Sequence, residues 1–271
     1  MTPFIKLLHA SLFAFNSLLI VLFLNMKKVI LGATGSIGSS LAKKLVDSGE
    51  QVHLVGRDEA NLSELANELN SKFTTCDVLE ENFSEKIIND LKDEQVNGLA
   101  YCVGSIDLKP LKLTKKSDFM QSFNLNLVSA TEIIKSLADN LKASKGSIVL
   151  FSTVAVQQGF PNHAIVSSAK GAVEGLTLAL AAEYAPNIRV NCIAPSLTNS
   201  KISNFLLKNE KMAESIAKMH PLKRIGEGGD SASVAKFLLT DESSWITGQI
   251  FGVDGGDHLS HNNYCLYIVL L

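Results

Sequence analysis

Between residues 29 and 253 the sequence alternates short apolar runs with longer stretches of helical periodicity. No other feature restricts the fold as tightly. The runs are Val29-Ile30-Leu31, Val52-His53-Leu54-Val55, Leu99-Ala100-Tyr101-Cys102-Val103, Ile148-Val149-Leu150-Phe151, Val190-Asn191-Cys192-Ile193 and Ile250-Phe251-Gly252-Val253. Between them, residues 39–48, 58–69, 117–141 and 169–184 place apolar side chains at helical spacing. Strands separated in this way by helices build βαβ units, which predicts a parallel sheet covered on both faces. A chain of 271 residues suits one such α/β domain with a terminal extension. No internal repeat, low-complexity tract or linker divides it.

Composition removes several functions. The formal net charge is -2, and Lys and Arg are scattered through the chain. A nucleic-acid-binding surface needs them clustered. The four cysteines, Cys76, Cys102, Cys192 and Cys265, form no C-x-x-C pair. Three of them sit in or beside expected strands, where small buried thiols are common. The spacing therefore offers neither a zinc site nor a disulfide framework.

Both ends depart from the pattern. Residues 7–25 carry no Asp, Glu, Lys or Arg. As a helix they would reach roughly 28 Å, enough to cross a bilayer. Three readings compete: a membrane anchor, a signal peptide, or a stretch outside the working protein. The second lacks a small-x-small cleavage site. The third is favoured because Met26-Lys27-Lys28-Val29-Ile30-Leu31 reads as a natural start for the first strand. If the stretch is an anchor, Lys27 and Lys28 outnumber Lys6 and would keep the domain in the cytoplasm. Without an anchor the expected location is also cytoplasmic. The expected domain is 26–257, followed by an irregular tail over 258–271 whose last eight residues have no evident place in it.

Gly32-Ala33-Thr34-Gly35-Ser36-Ile37-Gly38 follows the first strand and opens the first helix. Glycines there let the chain turn tightly and bring its amides close to a pyrophosphate, while the helix N-terminus adds partial positive charge. The end of the second strand selects the nucleotide. An NAD site puts Asp or Glu there to hold the ribose 2′-hydroxyl. This chain has Gly56, followed by Arg57. A carboxylate would repel a 2′-phosphate, whereas a guanidinium clamps it. NADP(H) is therefore the expected cofactor, ahead of NAD. Asp58 reads as the N-cap of the second helix.

Further motifs lie in order along the chain. They are Cys76-Asp77-Val78 at the end of a third strand, Gly104 after the fourth, and Asn126-Leu127 on the helix that follows. Then come Ser147-Ile148-Val149-Leu150-Phe151-Ser152-Thr153, Lys170, Arg189-Val190-Asn191-Cys192-Ile193-Ala194-Pro195-Ser196, and Trp245-Ile246-Thr247-Gly248-Gln249 with Asp254-Gly255-Gly256. Together they resemble the short-chain dehydrogenase/reductase family over residues 27–256. The glycine spacing is closer to the extended and atypical members than to the main subfamily. The resemblance implies a single doubly wound, Rossmann-type α/β domain with a seven-stranded parallel sheet. It implies that Gly32, Thr34, Gly35, Ser36, Ile37, Gly38, Arg57, Asp77, Val78, Gly104, Lys170, Pro195 and Thr198 hold the cofactor. It also implies a dimer or tetramer built on the helices at 117–141 and 169–184. In this family Ser196 stands where glycine is usual.

Four active-site roles of the family meet four positions here. Asn126 and Lys170 match, and Thr153 stands where the substrate-orienting serine is expected. The tyrosine that donates the proton aligns with Val166, in a segment placed just ahead of a helix-forming run. An isopropyl group cannot donate a proton. Three residues compete for that task. His163 lies three positions earlier and titrates near neutrality. Ser167 makes a Ser-x-x-Lys pair with Lys170, and Tyr101 ends a strand near the cofactor. The bland reading of each is a loop residue in water, helix packing and core packing, respectively. The expected function is an NADP(H)-dependent reductase or dehydrogenase acting on a carbonyl/alcohol pair with a changed proton donor. The alternative is a nucleotide-binding or sensing protein with little turnover. Residues 195–224 should form the lid over the substrate. Its apolar Phe205, Leu206, Leu207, Met212, Ile216 and Met219 are expected to pack the lid's own helix.

Overall fold

The computed structural model describes residues 26–92 and 94–259. The expectations for residues 7–25, Cys265 and the tail beyond 259 lie outside the described residues. The elements run β1 (Lys27–Leu31), α1 (Ser36–Asp47), β2 (Gln51–Gly56), α2 (Glu59–Glu68), β3 (Lys72–Thr75), α3 (Phe83–Leu91) and β4 (Val96–Tyr101). They continue with α4 (Lys116–Phe123), α5 (Ser129–Ala143), β5 (Ser147–Phe151), α6 (Ala155–Gln158) and α7 (Ala164–Tyr184). The last are β6 (Arg189–Pro195), α8 (Asn204–Leu207), α9 (Glu210–Met219), α10 (Gly228–Leu239) and β7 (Ile250–Val253).

The strands form one parallel sheet in the order β3-β2-β1-β4-β5-β6-β7. Alternation along each strand divides the core between the two faces. On β1, Val29 and Leu31 join one buried cluster and Ile30 the other. The side of Val29 is packed by Phe83 and Ile87 of α3, Ile133, Ile134 and Leu137 of α5, and Val173 of α7. The side of Ile30 is packed by Leu41 and Leu45 of α1, Leu62 of α2, and Ala232, Ala235 and Leu238 of α10. Burying this much apolar surface is the main force holding the layers together.

The polar letters of the β6 motif pin neighbouring segments. Arg189 donates to the carbonyls of Leu238 and Thr240 and to the Ser243 hydroxyl. Asn191 donates to the Ile246 carbonyl and accepts from the Gln249 amide. These bonds close the C-terminal end of α10 and the approach to β7.

Two expectations change. The helix carrying Lys170 begins at Ala164, five residues before the expected start, so Val166 already lies inside it. Helices α3 and α10 lie where the sequence predicts no helix. The long helix before β5 is interrupted by a π turn at Asn124–Val128, between α4 and α5.

Candidate active site

The strand order reverses direction between β1 and β4. A doubly wound sheet opens its crevice at such a point, outside the carboxyl ends of the strands. A cleft of about 370 Å³ lies there. It is lined by Gly32, Thr34, Gly35, Ser36, Ile37, Gly38, Arg57, Asp77, Val78, Gly104 and Thr198, eleven of the thirteen residues expected to hold the cofactor. The other two, Lys170 and Pro195, line an adjoining cavity of about 460 Å³. The two spaces share Ile37, Cys102, Val103, Gly104, Thr198 and Ile202 and so form one groove.

The glycine-rich turn leaves no room for side chains. Gly32 has φ +74, and a Cβ there would press on the Cys102 carbonyl at 3.0 Å. A Cβ on Gly38 would collide with the Gly32 carbonyl oxygen. The turn and the start of α1 are therefore drawn close to β4, and the first-turn amides of α1, unpaired within the helix, face the cleft. This is a cradle suited to a pyrophosphate. At the far end, β2 finishes at Gly56 without a carboxylate. Arg57 follows, mostly exposed, with Nη1 3.4 Å from Asp77 Oδ2. Asp58 caps α2 by accepting from the Asn61 amide at 3.1 Å, as expected. Lys201 also lines this end of the cleft. Its role was not legible in the sequence, because it arrives from the lid more than 140 positions later.

At the junction, a Cβ on Gly104 would lie 3.0 Å from Lys170 Nζ and 3.1 Å from Asn126 Oδ1. Lys170 is buried and donates to the Phe151 carbonyl at 2.8 Å. Burial pushes its ammonium down to about 8. Asn126 is buried in the π turn, a distortion often found at functional sites. Its amide nitrogen donates to the Ser122 carbonyl at 2.8 Å. Its oxygen has no hydrogen-bond partner among the described residues. A buried amide oxygen and a buried ammonium thus face the space over Gly104, and an unmade hydrogen bond there carries a cost that a bound polar group removes. The residues present fit a nicotinamide nucleotide.

Val166 precedes Lys170 by one turn of α7 and lines the same cavity. Thr153 lines it as well, its hydroxyl oxygen 3.3 Å from the Ala155 amide. The neighbouring Ser152 hydroxyl is taken by Glu174 at 2.7 Å. Of the stand-ins for tyrosine, two are engaged elsewhere. Tyr101 is buried and donates to the Leu125 carbonyl at 2.6 Å, and burial raises its phenol well above the usual range. Ser167 donates to the Ala155 carbonyl at 3.1 Å. His163 is the N-cap residue of α7, so it is half inside the helix. Its Nδ1 lies 2.8 Å from the Pro161 carbonyl, and the residue lines the cavity.

The lid expectation needs correction. Leu206, Ile216 and Met219 line the cavity with Ile202 instead of serving only their own helices. Phe205 and Met212 are exposed. The sequence also missed His220 and Asp257, which line the same cavity beside Ser196. The one available signal was Ser196, a side chain where the resembling family has none.

A family model described as enoyl-(acyl carrier protein) reductase matches residues 32–258. A tropinone reductase homologue of Arabidopsis thaliana is 32% identical over 248 residues, covering 88% of this chain and 94% of its own. The L-xylulose reductase of Bos taurus is 30% identical over 236 residues, 85% of this chain and 95% of its own. Among solved structures, a short-chain type dehydrogenase/reductase from Mycobacterium ulcerans superposes with a TM-score of 0.81 at 26% identity, covering 87% of this chain and 90% of its own. ElxO with NADP bound gives a TM-score of 0.80 at 27% identity, covering 87% and 99%.

Proposed function

The chain belongs to the short-chain dehydrogenase/reductase family, and from that premise we propose that it is an NADP(H)-dependent oxidoreductase of a carbonyl/alcohol pair whose proton donor is not the family's tyrosine. One observation carries the reading. The glycine-lined cleft and the apolar cavity meet at Gly104, where Lys170 and Asn126 converge.

The turn from Gly32 to Gly38 would hold the pyrophosphate on backbone amides. Arg57 and Lys201, which both line this cleft, favour a 2′-phosphate, and no carboxylate at Gly56 opposes it. Asp77 and Val78 border the adenine end, and Pro195 and Thr198 the nicotinamide end. Lys170 would donate to the nicotinamide ribose. When bound, NADPH supplies the hydride. The Thr153 hydroxyl orients the carbonyl oxygen by donating to it. Ile202, Leu206, Ile216 and Met219 exclude water, which strengthens each of these polar contacts. His163 stands at the cavity wall with its Nδ1 hydrogen held by the Pro161 carbonyl, so only the doubly protonated ring could pass the Nε2 hydrogen to the oxygen, leaving the neutral imidazole behind. NADP-bound and NADPH-bound ElxO structures among the similar proteins support the choice of cofactor.

A second reading rests on Val166. With an apolar side chain at the tyrosine position, the domain could bind NADPH as a sensor and turn over little. The deciding experiment measures NADPH binding by fluorescence and NADPH oxidation against a panel of aldehydes and ketones. Binding with oxidation supports the enzyme. Tight binding without oxidation by any carbonyl supports the sensor.

We also propose a homodimer or homotetramer using α4, α5 and α7. These helices and the π turn between α4 and α5 leave Met120, Val128 and Leu178 exposed.

A further inference from the structure

One turn of the lid borders both halves of the groove. Lys201 lines the nucleotide cleft, and the adjacent Ile202 lines the cleft and the apolar cavity alike. The turn that carries them is tied down. Ser203 is fully buried, and its hydroxyl donates to the Thr198 carbonyl at 2.6 Å. The Ser200 amide donates to the Ser203 oxygen at 3.0 Å, and the Asn199 amide to the Gly226 carbonyl at 2.8 Å. These bonds hold the backbone on either side of Lys201 and Ile202 and leave both of those residues exposed. Ile202, an apolar side chain at the join of the two spaces, is 51% exposed.

Charge singles out Lys201. The cleft is lined by two cations, Arg57 and Lys201, and two carboxylates, Asp58 and Asp77. Arg57 already has Asp77, with Nη1 3.4 Å from Oδ2. The Lys201 ammonium makes no hydrogen bond or ion pair among the described residues. It is near enough to act on Asp58. Hydrogen bonds from Asn61 hold that carboxyl below its ordinary range, and the Lys201 charge adds to them. Asp58 directly follows Arg57, so Lys201 stands at the end of the cleft where a 2′-phosphate would lie. An ammonium with three donors on a flexible stem is a common phosphate ligand.

We propose that Lys201 is a lid-borne ligand of the 2′-phosphate, and that this contact couples the nucleotide to the substrate cavity by holding the 198–203 turn, with Ile202, in place. The inference rests on the NADP(H) reading above and extends it from cofactor choice to lid order. NADP(H) fixes the turn, and NAD(H), which lacks the phosphate, does not. Coupling of this kind is reciprocal: what the phosphate contributes to the order of the turn, the ordered turn returns as phosphate affinity.

Two probes isolate the phosphate. Adenosine 2′,5′-bisphosphate and adenosine 5′-monophosphate differ only by it, and both lack the nicotinamide. Their affinities for the full chain are measured by calorimetry. Backbone amide exchange over residues 199–203 is then followed by mass spectrometry, with each probe at saturation. The bisphosphate should bind more tightly and slow this exchange by about fivefold or more, and the monophosphate should leave it unchanged. Lys201→Ala should remove the protection at an unchanged melting temperature. It should also weaken the bisphosphate by about fivefold or more and leave the monophosphate as it was. Lys201→Arg should retain both effects. Equal exchange with the two probes overturns the coupling and leaves the NADP(H) reading intact if the bisphosphate still binds more tightly. Protection that survives Lys201→Ala removes Lys201 from the contact and overturns the inference. Equal affinity of the two probes overturns the NADP(H) reading, and the inference with it.

Discussion

Val166 sits one helical turn before Lys170 on α7, and both line the cavity that adjoins the cofactor cleft. The lysine keeps its place, its hydrogen bond to Phe151 and its approach to Asn126 at Gly104. The position before it carries no ionisable group. On the proposed reading, cofactor binding and proton delivery rest on different side chains, and substitution can address each alone.

Val166→Tyr should raise reductase activity, by up to about 10²-fold, because a positioned general acid contributes ~10²–10⁴ in rate. The neighbouring ammonium favours the phenolate. His163→Ala should abolish turnover near neutral pH if His163 delivers the proton, and Val166→Tyr would then help little. Steady-state rates of both variants decide. If neither rate moves, both donors are wrong.

Arg57→Ala should weaken NADPH by about tenfold, ~1.4 kcal/mol, and leave NADH unchanged. Equilibrium titration of both cofactors reads this directly. Equal affinities for NADPH and NADH in the unmodified protein would overturn the assignment before any variant is made.

Lys170→Ala should weaken NADPH binding without lowering the melting temperature at neutral pH. Burial holds the Lys170 ammonium at about 8, below its ordinary 10.5. Between those values the unfolded chain binds the extra proton. Lys170 therefore makes stability climb as pH rises from about 8 towards 10.5, and the variant should lack that increment. Denaturant titrations at pH 7 and pH 10 provide the comparison. Parallel behaviour of the two proteins counts against a buried charge.

His53 should govern part of the acid limb. Its Nε2 lies 2.9 Å from Thr74 Oγ1, whose own hydrogen goes to Asp90 at 2.6 Å, so Nε2 donates. Nδ1 is buried without a hydrogen-bond partner among the described residues. Burial pushes the imidazole from 6.5 to about 4, against the opposing pull of Glu94 and Asp90. Because the folded value lies below the unfolded one, stability is lost as pH falls from 6.5 through 4, by about 3 kcal/mol in all. His53→Gln, which does not titrate, should flatten that loss in urea denaturation between pH 7 and pH 4.5. An unchanged slope would refute it.

The sequence alone determined the alternation of strands and helices and which residues would line the glycine-rich end of the groove. Strand and helix periods are local, a glycine-rich turn between them has one geometric purpose, and Arg57 reaches the cleft because it directly follows β2. Thr153, Asn126 and Lys170 were legible through motif spacing for the same reason: each keeps a fixed offset from a strand end or helix start. Only the tertiary structure decided what the lid does. Lys201 lines the cleft together with Arg57, and Leu206, Ile216 and Met219 line the cavity. Ser196, His220 and Asp257 meet across separations of 24 and 61 residues. Amphipathic spacing shows that a helix has an apolar side but not which surface it will meet. A hydrogen bond between residues so far apart exists only once β6, α9 and the turn after β7 have been packed together.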